Sequence, residues 1–401
     1  MSTSALMPVE AALERLLRLA EAAPIEESER GALEAADGRV LAEPLVAGLD
    51  LPPWPNSAMD GYALRLADWT GEPLAVSQRI FAGQAPGPLQ PGTCARIFTG
   101  APLPEGADCV EMQENAEVLA DGRVRFTEAL RPRRNIREQG HEVRRGETVL
   151  AVGTRLGPIE LGLAASLGAA ELPLRRRPRV ALLSTGDELI EPGQPLGPGQ
   201  IYNSNRTLLK AWLERAGCVV TDAGILPDDL ELTRACLGEL DAVDLILSTG
   251  GVSVGEADFL GQVLREAGEL ALWKLAIKPG KPLTVGHCRG VPVIGLPGNP
   301  AATLVTFALL VRPYLLRRLG VAEVEPLAFA VPAGFAWSKP GERRQYLRAR
   351  LDQGRAMPHP DQSSAVLRSA AWAEGLVEVR EGATLAEGDP VRFIPLSEVL
   401  G

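Results

Sequence analysis

The chain has 401 residues, 46% of them hydrophobic, and no long low-complexity tract, so it can bury several cores and has room for roughly two to four domains. A formal net charge of -10 argues against a general nucleic-acid surface, and no apolar run approaches the roughly 18 residues that cross a bilayer. Five dispersed cysteines without a Cys-x-x-Cys pair, and no basic segment leading into an apolar core near the start, suit a reducing compartment and make the cytoplasm the expected location.

Pro8 opens the first predicted element, a helix over 8–22 with Val9, Ala12, Leu13, Leu16, Leu17 and Ala20 at helical spacing. From about 45 to 140 that pattern fades, and short runs at 74–76, 94–98 and 124–126, separated by Gly and Pro turns, predict a small β-rich unit. A helical pattern returns at 158–167; its expected neighbour is the first helix, which would make the β-rich segment an insertion. Two basic runs, Arg131 to Arg137 and Arg175 to Arg179, read as solvated linker faces.

Beyond Pro178 the pattern alternates regularly. Strands at 180–183, 218–221, 243–247, 271–276 and 291–294 interleave with helices at 203–216, 228–240, 257–267 and 301–319, the signature of a doubly wound, three-layer α/β unit. After Gly320, turn-separated strands that include 346–351 and 376–379 predict a small β-barrel or sandwich.

The scarcest residue type marks the most informative stretch. There are five lysines against thirty-six arginines, and three of the five are Lys274, Lys278 and Lys281. Two further glycine-containing corners accompany them, Ser248-Thr249-Gly250-Gly251 and Gly295-Leu296-Pro297-Gly298-Asn299-Pro300, each entered from a short apolar run. In an open parallel sheet such corners gather at the carboxyl edge, where ligands bind and helix-start amides favour anions. Lys-Pro-Gly-Lys sets two compact ammonium groups on one turn, so the expected site is an oxyanion site. Strand-ending turns also need Gly and Pro for steric reasons alone, which is the competing explanation for any single corner.

Acids near these corners are candidate ligands for magnesium, which takes one or two carboxylates together with phosphate oxygens and water. Asp258 and Glu188 are the metal candidates; Asp258 also fits a helix cap, as do Asp228 and Asp229 after Pro227. The three histidines, His141, His287 and His359, are too dispersed to suggest a zinc site or a triad. Neither Gly-x-x-x-x-Gly-Lys-Ser/Thr nor a Gly-x-Gly-x-x-Gly after the first strand occurs.

Six motifs in order resemble one family: Ser57-Ala58-Met59-Asp60-Gly61-Tyr62-Ala63, Thr99-Gly100-Ala101-Pro102 with Gly106-Ala107-Asp108, Ser184-Thr185-Gly186-Asp187-Glu188-Leu189, Ser248-Thr249-Gly250-Gly251-Val252-Ser253, Lys278-Pro279-Gly280-Lys281-Pro282, and Gly295 to Pro300. The chain looks like the molybdopterin molybdenumtransferases of the MoeA type, related to the gephyrin E domain. The resemblance implies a helical linker domain (1–45 and 141–177), a β-rich inserted domain (46–140), an α/β molybdopterin-binding domain (178–320) and a C-terminal β-barrel domain (321–401).

It also implies an activity: molybdate is inserted into adenylylated molybdopterin with magnesium-dependent release of AMP. The catalytic residues implied are Asp60, Thr99, Glu188, Asp258, Lys278 and Lys281. Asp228, Ser248, Thr249, Gly250, Gly251, Ser253, Lys274, Pro297, Gly298, Asn299, Pro300, Arg348 and Ser364 would bind substrate, with Arg344 and Ser363 as further candidates from the last domain. The implied assembly is a homodimer with Asp60 and Thr99 acting across subunits. The adenylyltransferase that makes the substrate and the enzymes that accept the cofactor are the implied protein partners, with no nucleic acid or membrane. Two departures from the family pattern stand out: Gly140-His141-Glu142, where an aspartate is usual, and Gln362-Ser363-Ser364-Ala365 in place of a Gly-Ser-Gly-like stretch. An adenylylating enzyme on the same α/β unit and a dimeric scaffold are the competing readings.

Overall fold

The computed structural model describes residues 6–240, 242–250, 259–266 and 270–400. The first helix, Val9–Ala22, buries Val9, Ala12, Leu16 and Ala20 on one stripe. That stripe joins the largest core, beside Tyr314 and Leu315 of the helix Arg312–Arg318. The expected pairing with the helix at 158–167 is therefore corrected. Helix Pro158–Ser166 buries only Ala164, in a separate cluster with Ala36, Leu41, Leu156, Leu172 and Leu174. A single buried alanine offers too little apolar surface to cover a four-residue stripe, whereas the apolar residues of 304–311 with Tyr314 and Leu315, all buried, do.

The 46–140 segment carries a four-stranded sheet in the order Ala75–Ile80, Thr93–Ile97, Gly61–Leu64, Cys109–Met112. Alternation of side chains sends Tyr62, Leu64, Cys94 and Cys109 to one face and Ala63, Ala95, Ile97 and Val110 to the other, and both faces are covered.

The large sheet has six strands in the order Val219–Leu226, Arg179–Thr185, Leu245–Thr249, Val291–Leu296, Pro282–Cys288, Leu270–Lys274. The first four are parallel, and Pro282–Cys288 runs antiparallel to both of its neighbours. Helices Ser204–Arg215 and 300–318 pack on one face, Leu230–Glu239 and Phe259–Glu266 on the other, giving three layers. The strand Pro282–Cys288 has no counterpart among the sequence expectations. Its Gly286 and His287 interrupt the apolar run by which a buried strand is recognised. The closing helix runs from Pro300 to Arg318 with a widened π turn at Phe307–Val311, just ahead of Pro313, whose ring cannot accept the regular geometry of an α-helix interior.

The C-terminal sheet runs Ile277–Lys278, Arg344–Asp352, Gly375–Val379, Pro390–Pro395, Phe329–Pro332, with Arg355–Pro358 beside Arg344–Asp352. A bridge between Ala333 and Ala356 brings the last strand back to Arg355–Pro358, so five strands form a ring around Leu347, Val377, Val379 and Phe393. Ile277–Lys278 comes from the lysine-bearing stretch and pairs with this second sheet.

The basic runs are solvated faces only in part: Arg131, Arg133, Arg137 and Arg179 are exposed, but one arginine in each run is tied to a buried or half-buried acid. Arg176 grips Asp244 through two bonds of 2.7 and 3.0 Å and also pairs with Glu27, while Arg134 reaches the buried Glu111 at 3.1 Å. Each guanidinium lies beside a carboxylate that burial would otherwise leave unpaired. No helix among the described residues is long and apolar enough to cross a membrane.

Candidate functional site

A cleft of about 1100 Å³ opens where the carboxyl edge of the large sheet meets the C-terminal sheet. Eight of the expected site residues line it: Gly250, Lys274, Lys278, Lys281, Pro297, Gly298, Asn299 and Ser364. Arg343, Gln362, Ser363 and Gly280 complete the polar part of the wall. Among the described residues that line the cleft there is no acid, and four cationic side chains face it. Low-dielectric walls of one sign raise the local concentration of anions.

The lysines are held by backbone strung between the two sheets. Lys274 ends the edge strand Leu270–Lys274, and Lys278 lies in the short strand paired with Arg344 and Gln345. Between them, Leu275 N–H donates to Lys281 O at 2.7 Å, Ala276 N–H donates to Met7 O at 2.7 Å and Arg344 N–H donates to Ala276 O at 2.8 Å. Gly280 adopts φ of 115°, and a Cβ there would stand 2.8 Å from Thr306 Cγ2, so only glycine fits this turn. The ammonium groups are exposed while the loop beneath them is buried.

Other residues of the expected site serve the scaffold. Thr249 and Ser248 are buried; Asn205 Nδ2 donates to Thr249 Oγ1 at 2.9 Å and to Gly298 O at 2.6 Å, which staples the two glycine corners together. Thr303 Oγ1 donates to Pro297 O at 2.7 Å. The start of the closing helix is not a free cradle for anions. Pro300 has no N–H, Ala301 N–H donates to Ser364 O at 3.0 Å, and the amides of Ala302 and Thr303 donate to Asn299 O at 3.0 and 2.9 Å. The positive character of the cleft is thus carried by side chains. Gly251, Ser253 and Asp258 lie outside the described residues.

Arg348 does not line the cleft. It is 1% exposed, donating from Nε to Ser369 Oγ at 3.1 Å and from Nη2 to Ser363 O at 2.9 Å, and burial pulls its pKa down. Arg344 likewise turns to Glu10, Glu378 and Glu381. The cleft arginine is Arg343. Arg343 sits in the bend just ahead of the strand Arg344–Asp352, and nothing in a chain with thirty-six arginines marks which one faces the cleft.

The acids gather elsewhere along the same edge. Asp228 N–H donates to Asp187 Oδ1 at 3.0 Å, and desolvation, then Asp187, then Glu188 push the Asp228 carboxyl above its ordinary value. Asp229 caps the helix Leu230–Glu239 by accepting from Leu232 N–H at 2.8 Å. Among the described residues no group of three or more acid, His or Cys side chains is placed to hold a metal. Asp187 and Glu188 do lie near enough to Asp228 to act on its carboxyl, and magnesium needs only one or two carboxylates when a substrate supplies phosphate oxygens.

Asp60 and Thr99 form a second locus, on the sheet of the 46–140 segment. The Thr99 amide and hydroxyl both donate to Asp60 Oδ1, at 2.8 and 2.7 Å, and these donors hold the carboxyl below its usual value. Gly61 beside it is obligatory, since a Cβ there would lie 1.9 Å from Glu111 O. No residue of 46–140 lines the cleft. Glu142 lines a separate depression with Arg137 and His141.

Three family descriptions match in order: MoeA N-terminal region (domain I and II) over residues 7–168, probable molybdopterin binding domain over 181–317, and MoeA C-terminal region (domain IV) over 330–396. A molybdopterin molybdenumtransferase of Haemophilus influenzae is 45% identical over 72% of each chain, and molybdopterin molybdenumtransferase 2 of Mycobacterium tuberculosis is 40% identical over 87% of this chain and 90% of its own. A molybdopterin biosynthesis MoeA structure from Pyrococcus horikoshii superposes with a TM-score of 0.83 at 27% identity, covering 98% of this chain and 100% of that one. Three ordered domain matches and relatives of this similarity over most of their length place the chain in the molybdopterin molybdenumtransferase family.

Proposed function

We propose that this chain inserts molybdenum, supplied as molybdate, into adenylylated molybdopterin, releasing AMP and yielding the molybdenum cofactor. The observation that carries the reading is the cleft lined by Lys274, Lys278, Lys281 and Arg343, in a member of this family. Molybdate is a doubly charged oxyanion, and the adenylylated pterin carries a pyrophosphate bridge. Both need cations and hydrogen-bond donors whose positions are set before binding.

Lys278 and Lys281, on one glycine-fixed turn, neutralise the tetrahedral oxyanion, while the planar guanidinium of Arg343 suits two oxygens at once. The hydroxyls of Ser363 and Ser364, which also line the cleft, supply neutral donors. Glu188, with Asp258, would hold a magnesium ion, which when bound offsets charge on the bridging phosphates. Asp60, kept ionised by its two bonds from Thr99, offers a hydrogen-bond acceptor that the single chain does not bring into the cleft. The reading therefore includes a homodimer in which the inserted unit of one subunit completes the cleft of the other.

Purified chain is expected to release AMP from adenylylated molybdopterin only when molybdate is present. Lys278→Ala and Lys281→Ala are each expected to lower that rate about a hundredfold while leaving the melting temperature near wild type. An adenylylating enzyme would instead consume ATP and the unadenylylated pterin, and a scaffold would release no AMP. Wild-type rates in both lysine variants would overturn the assignment.

A further inference from the structure

The cleft is shared between two sheets, and one turn spans the join. The geometry points to Gln362 as a positioning residue: with the buried Arg348 it forms a latch that fixes Ser363 and Ser364, which line the cleft together with Lys278 and Lys281, and so sets the affinity of the cleft for a tetrahedral oxyanion. This inference rests on the oxyanion-binding reading above.

Three bonds occupy the Gln362 side chain. Its Oε1 accepts from Arg348 N–H at 3.0 Å, and its Nε2 donates to Arg348 O and His359 O, both at 2.9 Å. The amide thus copies a strand's pairing pattern at Arg348, where His359 N–H already donates to the same carbonyl at 2.8 Å. Gln362 lines the cleft, yet its polar atoms are spent on the chain. From inside, the Arg348 guanidinium donates to Ser369 Oγ and Ser363 O, neutral oxygens. A buried cation without a carboxylate in contact is costly, and an apolar side chain of similar length would fill the same space more cheaply. What only arginine supplies there is a rigid fork reaching two acceptors, one of them the carbonyl of the cleft wall.

The latch also reaches the glycine corner. Ser364 O accepts from Ala301 N–H at 3.0 Å, at the start of the helix that follows Pro297, Gly298 and Asn299. Movement of the 362–364 turn would therefore shift Ser363, Ser364 and the glycine corner together. A misplacement near 1 Å at a binding group costs up to about a hundredfold in its effect.

Molybdate alone, titrated calorimetrically into the full-length chain, tests this. Gln362→Met keeps the volume and removes all three bonds; Arg348→Lys keeps the charge and loses the fork. Both are expected to weaken molybdate about tenfold, with unfolding midpoints near wild type, and to raise the KM for molybdate more than they lower kcat. Ser369→Ala, which removes one of the two guanidinium contacts, guards against failed folding and is expected to show a smaller loss in the same direction. Wild-type molybdate affinity in the Met and Lys variants, with or without a lowered melting point, would overturn the latch. So would normal binding in Arg348→Lys beside lost binding in Arg348→Ala, because charge alone would then suffice. Wild-type chain that binds molybdate yet releases no AMP would sink the transferase reading and leave the latch standing.

Discussion

Asp228 illustrates how the carboxyl edge stores unfavourable charge. Desolvation and the neighbouring Asp187 and Glu188 raise its carboxyl, so the ionised form is penalised in the folded chain and not in the unfolded one. That penalty is full above the raised folded value and absent below the ordinary carboxylate range. Asp228→Asn is therefore expected to raise the melting temperature at pH 7 and to leave it unchanged near pH 3, which thermal melts at the two pH values will check. Among residues, lysine identity was the most legible signal: three of five lysines fell within eight positions, and the structure gathers all three. Arg343 and Gln362 were not legible: Arg343 lies in a bend ahead of a strand and is one of thirty-six arginines, and the role of Gln362 follows from its bonds to the backbone of Arg348.

Elements depend on close approaches that single glycines permit. Gly61 lets the strand Cys109–Met112 pass so near that any side chain would strike Glu111 O. Gly61→Ala is expected to cost about 3 kcal/mol or more, read as a lower denaturation midpoint. Gly250, at φ of 87° and with a virtual Cβ 2.5 Å from Thr185 O, is constrained in the same way. The parallel strands and their helices could be read from periodicity because each is a short apolar run followed by an amphipathic stretch. The strand Pro282–Cys288 could not, since its burial is decided by antiparallel neighbours on both sides.

At the scale of the molecule, the separation of Asp60 from the cleft can be tested by complementation. If each site draws its α/β part from one subunit and its inserted part from the other, Asp60→Ala and Lys278→Ala variants are each inactive alone. In a mixed dimer both defects fall in one site and the second site is intact. Equal mixing makes about half of the dimers mixed, each with one of two sites working, so recovery of about a quarter of wild-type activity is expected after co-refolding. No recovery in a preparation shown to contain mixed dimers would place both residues in a site built by one chain. The first helix was legible as amphipathic, but its partner was not: the stripe on Val9–Ala22 says that something apolar covers it, and only the fold reveals that the covering helix lies some three hundred residues away.

The clustering of the rare lysines has a practical consequence. Because primary amines are scarce and concentrated on one wall, amine-selective acylation or reductive methylation becomes a near-specific label for this crevice. Occupancy by ligand should then be visible by mass spectrometry as shielding of Lys274, Lys278 and Lys281, with Lys210 and Lys339 serving as internal standards in the same digest.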